Sequence, residues 1–154
     1  MSAYQEQLNR VERWMARLRD RCRDQTEYLD FLWSFFQNCW HVKDWIKNDA
    51  ELPQSVRDSV EKDLNEFRAL LACADLANRS KHLELKKIRK DARLRREIEL
   101  QVWENVATGE TFSAASFEYF VVLEDGSSRP AIDVGNEAVS DWKTLLSKYG
   151  LSVA

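Results

Sequence analysis

The sequence predicts an α+β fold: a mainly helical antiparallel bundle over about residues 2–82, then a small antiparallel sheet and a C-terminal helix. Three observations lead there. Apolar residues recur every three or four positions through the first half, which is the helical period. After Glu97 the period falls to two, with turn residues between the apolar runs. Strands and helices do not alternate as they must in a parallel sheet. A chain of 154 residues is expected to make one domain, since domains usually run to roughly 100–150 residues. Its parts are then a bundle at 1–85, a strand-rich part at 97–134 and a closing helix at 137–149.

Residues 2–23 set Tyr4, Leu8, Val11, Met15, Leu18 and Cys22 on one helical stripe. Ser2 followed by Gln5 fits a capping box at its start. Arg10, Arg13, Arg17 and Arg21 form a second line, with Glu6, Glu12 and Asp20 available as partners. From Thr26 to Asn48 apolar residues occupy nearly every side: Phe31, Leu32, Trp33, Phe35, Phe36, Cys39, Trp40, Val42, Trp45 and Ile46. Such a helix belongs at the centre of a bundle. Pro53 suits the first turn of the next helix, where its missing N–H costs nothing. The stretch 54–82 changes apolar phase near Asn65, so it reads equally as one helix or as two with a bend. Three or four helices joined by short loops are expected.

Ile98, Leu100 and Val102 alternate with Glu97, Glu99 and Gln101, the pattern of a half-buried strand. A turn is expected at Ala107–Glu110 around Gly109. FEYFVVLE (117–124), the turn at 125–128 and RPAIDV (129–134) read as a hairpin. Asn136 is placed to cap the last helix, 137–149, which Gly150 stops.

Composition narrows the class further. The chain is 44% hydrophobic and 32% charged with four Gly and two Pro, so collagen-like and wholly disordered classes are excluded. No run of about 18 apolar residues exists and the start is polar, so neither a membrane span nor a signal peptide is expected. Cys22, Cys39 and Cys73 are odd in number and far apart, which suggests reduced thiols and a cytoplasmic location. Arg79 to Arg96 holds nine Lys or Arg against Glu84 and Asp91, a local +7 within a chain of −3. Such a block is either a footprint for a polyanion or a solvated face balancing an acidic body.

Only two histidines are present, each on a polar helical line. Asn38, His41 and Trp45 share one spacing, with Asp44 close by; Asp75, Asn78 and His82 repeat it, with Lys81 and Lys86 near. If the two helices are neighbours, His41, His82 and Asp75 or Asp44 meet in one pocket. There a carboxylate can orient an imidazole for proton transfer. The bland alternative is that these groups satisfy one another inside a bundle. No HxxxH, HExxH or Cys/His cluster is present, and no metal or other cofactor is expected. The sequence also lacks GxSxG, P-loop and GxGxxG motifs.

The stretches FFQNCWHVKDWI and ADLANRSKHLEL resemble small bacterial proteins of unknown function. They are also similar to the HEPN superfamily, helical bundles of toxin–antitoxin and phage-defence systems. The resemblance covers about residues 26–85. It implies a protein that binds or cleaves RNA without metal across a dimer interface. His82 then corresponds to the family's histidine and Asn78 to the polar residue before it, while the expected arginine is replaced by Asp75, Leu76 or Ala77. On this reading His82, His41, Asp75, Asn78 and Asp44 form the catalytic set. Arg79, Lys81, Lys86, Lys87, Arg89 and Lys90 contact RNA. A base serves the 2′-hydroxyl and a cation the phosphate's developing charge. The alternative is a non-catalytic module that holds a protein partner, or a second copy, with its aromatic surface and the basic 79–96 segment.

Overall fold

The computed structural model describes residues 2–20, 24–81 and 92–152. It is an α+β fold. The elements run α1 (Ala3–Arg19), α2 (Gln25–Asn48), α3 (Gln54–Asp63), a 3-10 turn (Leu64–Glu66), α4 (Arg68–Arg79), β1 (Arg93–Glu104), β2 (Thr111–Val122), β3 (Ser128–Pro130) and α5 (Ala131–Lys148).

Local chemistry explains the boundaries. Gln5 Oε1 accepts the Ser2 N–H at 2.9 Å, the capping box expected of α1. Asp24 starts α2 by accepting the Thr26 and Glu27 N–H groups at 2.8 and 3.0 Å. Pro53 stands one residue before α3, and its carbonyl accepts from Val56 and Arg57. The drift of phase near Asn65 becomes the 3-10 turn, which separates α3 from α4.

α2 is the central helix. Leu32, Phe35, Phe36, Cys39, Val42 and Ile46 have no exposed surface, and α1, α3, α4 and α5 all pack on it. The arginine line of α1 lies on rings as much as on carboxylates. Arg10 sits 5.5 Å over Trp45 and Arg17 sits 4.7 Å over Trp14. Trp142 is fully buried, and its indole N–H donates to the Cys39 carbonyl at 2.9 Å, fastening α5 to α2. Gly135 permits that approach. A Cβ there would stand 2.8 Å from Met15 Cε and 3.1 Å from the Phe35 ring. At the other end of the chain, Tyr4 Oη donates to the Ser152 carbonyl at 3.1 Å.

The C-terminal third departs from expectation in three places. RPAIDV is not a strand beyond Pro130: α5 begins at Ala131. The apparent alternation of Ile132 and Val134 is the start of a helical stripe, Ala131, Val134, Ala138, Trp142 and Leu145, all buried. Asn136 therefore lies inside α5 and caps nothing; its Oδ1 accepts from Arg19 Nη2 at 2.6 Å, tying α5 to the last turn of α1. Finally, β1 and β2 are longer than expected. They pair antiparallel from Arg93 opposite Val122 to Glu104 opposite Thr111, around the turn at Gly109. β3 adds only a short edge, Ser128–Pro130, to β2.

Candidate functional site

Two polar contacts run from α2 to the residues that follow α4. Gln37 Nε2 donates to Ser80 Oγ at 2.6 Å, and His41 Nε2 lies 3.2 Å from Lys81 Nζ. Burial holds the His41 imidazole below its ordinary range; the Lys81 and Lys43 charges act the same way, and Asp44 opposes them. A neutral ring with its hydrogen on Nδ1 accepts from the Lys81 ammonium, whereas an imidazolium cannot. Asp44 is half-exposed and ion-paired with Lys43 at 2.5 Å.

The remaining residues of the expected set point elsewhere. Asn38 is engaged by α1, with Gln7 Nε2 on its carbonyl at 2.9 Å and on its Oδ1 at 3.2 Å. Asp75 has no exposed surface and accepts the Ala92 N–H at 3.4 Å. Arg79 Nε donates to the Ala92 carbonyl at 2.8 Å. Both polar atoms of Ala92 are thus gripped by α4, and Asp75 and Arg79 fix the root of β1. Asn78 is partly buried in the last turn of α4, and its carbonyl accepts from Lys81 N. His82, Lys86, Lys87, Arg89 and Lys90 lie outside the described residues, and with them the shared two-histidine pocket. Cys39 and Cys73 are both buried. Burial pushes the Cys73 thiol well up and the neighbouring Cys39 thiol adds to this, so Cys73 is poorly suited to nucleophilic work. Among the described residues no group of three His, Cys, Asp or Glu is placed to hold a metal ion.

A second feature is larger. Beyond its root, the β1–β2 ribbon leaves the helical body. Leu94, Phe117, Tyr119 and Val121 pack on the core, and Tyr28 of α2 stacks on Tyr119 and meets Phe117 edge-on. Past Ile98 both strands are exposed on both sides. Opposed residues share a face. Ile98, Leu100 and Val102 therefore lie on the face that carries Phe117, Ala115 and Ser113. Trp103 and Phe112 lie opposite each other on the other face, near the tip. Ile98 is 53% exposed, Leu100 65% and Val102 58%. An open groove of about 950 Å³ separates the ribbon from the body, walled by Ile98, Ala115 and Phe117 on one side and Leu18, Tyr28 and Ile132 on the other.

The alternation in Glu97–Val102 was the only sequence signal of this surface. It marks which side of the strand is apolar and is silent on what covers it. No helix among the described residues is long and apolar enough to cross a membrane. No family model matches the chain, and neither a curated protein nor a solved structure matches it.

Proposed function

We propose that this chain is a protein–protein interaction module that engages its partner through the apolar face of the β1–β2 ribbon. One observation carries the reading: Ile98, Leu100 and Val102 form a regular apolar row, more than half exposed, on a strand whose far edge pairs with nothing among the described residues. Exposed apolar rows on edge strands invite aggregation, and proteins that stay monomeric blunt them. Here the surface differs from the one expected of an interaction module. The aromatic helix is interior, with Phe35 and Phe36 unexposed and Trp40 only 7% exposed. Benzoylphenylalanine in place of Ser113, exposed on the same face beside Val102, tests the reading in producing cells. Irradiation is expected to yield an adduct heavier than the chain, and its absence overturns the proposal.

The juxtaposition of His41 and Lys81 favours a second reading, an HEPN-like protein of a bacterial conflict or defence system that handles RNA without metal. A neutral imidazole beside an ammonium supplies a base for the 2′-hydroxyl and a cation for the phosphate. On this reading Lys81→Met raises the His41 pKa, because it removes a like charge, and weakens binding of a single-stranded RNA oligonucleotide. Log K for that RNA falls steeply with log salt as counterions are released. Absence of RNA binding at low salt ends this reading.

A further inference from the structure

Resting on the ribbon proposal, we infer that the partner of β1 is a second copy of the same chain, joined edge to edge and antiparallel about a two-fold axis at Leu100. The argument is one of register. In an antiparallel pair, related by a two-fold, only an axis through a residue keeps the apolar face of one strand on the same side as that of the other. An axis between residues sets apolar positions against the polar row.

Among the on-residue axes, charge decides. An axis at Arg96, Glu97 or Glu99 places that residue opposite its own copy, and an axis at Ile98 places Glu97 opposite the partner's Glu99. Like charges directly opposed are destabilising. An axis at Gln101 sets Ile98 against the partner's Glu104, and one at Val102 sets Leu100 against it. With the axis at Leu100, Leu100 meets the partner's Leu100 and Ile98 meets the partner's Val102 on both sides. Arg96 then faces the partner's Glu104, and Glu99 faces the partner's Gln101. Every residue of the apolar row opposes another of the row, Glu97 faces the partner's Trp103, an ion pair closes each end, and no like charges meet.

The surroundings agree with this placement. β1 is the outer strand of the order β1-β2-β3, so among the described residues no strand lies on its far edge. Arg96 lies at the root, where its Nη1 donates to Gln25 Oε1 at 3.0 Å. A partner strand in this register brings the partner's Val102 to the mouth of the groove beside Ile98. Pairing joins two three-stranded sheets into one six-stranded sheet with a continuous apolar row on one face.

Sedimentation equilibrium of the full chain tests this over roughly 1–300 μM, the range in which micromolar association is read directly. The wild type is expected to dimerise. Leu100→Glu puts two carboxylates on the axis and is expected to weaken association at least about tenfold. The thermal midpoint in dilute solution is expected to stay unchanged, since Leu100 is exposed in one chain. Register is read by oxidation: Leu100→Cys is expected to form a disulfide-linked dimer at least about tenfold faster than Ile98→Cys, whose copies stand four residues apart across the axis. A wild type that stays monomeric overturns the self-pairing. An adduct of the Ser113 photoprobe with a different chain then leaves the ribbon proposal standing, whereas no adduct ends both. A dimer indifferent to Leu100→Glu, or equal rates for the two cysteine variants, also overturns this inference.

Discussion

The helical body and the β1–β2 ribbon use side chains of the same kind with the same regularity, and differ in what lies against them. In the body the apolar stripes of α1, α4 and α5 close on α2, so Leu8, Phe35, Leu70 and Trp142 are almost wholly covered. In the ribbon Ile98, Leu100 and Val102 follow an equally strict period and remain more than half exposed. A strand's two faces are set by its own alternation, while coverage needs a second layer that the ribbon lacks among the described residues. The difference locates where this molecule is finished and where it is open.

Truncating matched positions gives the largest contrast. Trp142→Ala is expected to cost about 3–5 kcal/mol in urea unfolding, since it empties a buried site and leaves the Cys39 carbonyl without its donor. Leu100→Ala, in dilute solution, is expected to stay within about 0.5 kcal/mol of wild type. A cost above about 1 kcal/mol for Leu100→Ala would break the contrast and mean the ribbon is covered by its own body.

The junction between the two regions comes next. Asp75→Ala leaves the buried Ala92 N–H without that acceptor and is expected to cost about 1–3 kcal/mol. Amide exchange at Ala92 and Leu94 is expected to speed up more than exchange in the middle of α2. Uniform acceleration across both would show that Asp75 supports the body as a whole and not the ribbon's root.

The smallest effect sharpens the description of the body. Asp141 on α5 is half-buried, with Oδ2 lacking a hydrogen-bond donor among the described residues. Burial, helped by the Glu137 charge, raises its carboxyl from 3.8 to about 6. Between those values the folded chain holds a proton that the unfolded chain has released, so stability falls as pH rises from 3.8 to about 6 and stays lowered above. Asp141→Asn is expected to gain in thermal midpoint over wild type across that window, level off above it, and show little gain below pH 3.8. A gain independent of pH would assign the effect to packing.

What the sequence made legible follows the same division. The helices of the first half were readable because each stripe had a neighbour to close on, so period and burial coincide. The start of α5 was not, because Ile132 and Val134 are β-branched and two apart, and only the longer stripe to Leu145 separates helix from strand. The first half of β2, TFSAAS, escaped because small polar residues carry weak strand preference; its long partner β1 holds it in register. In the candidate site, the spacing of His41, Asp44, Asp75 and Asn78 placed residues on helices without fixing which way a line faces. His41 does meet Lys81, two residues past the end of α4, while Asp75 turns inward to Ala92.

The double grip on Ala92 separates spatial order from chain order. α4 holds the root of β1 through Asp75 and Arg79 as well as through the covalent chain, so the link between Lys81 and Ala92 is not the sole thing keeping ribbon and body together. A polypeptide that began at β1 would still find its seat on α4. The ends such a rearranged chain must join are already neighbours, because Tyr4 holds the Ser152 carbonyl. The ribbon is thus an attachable part of this architecture, bound to the body by contacts that any order of synthesis would reproduce.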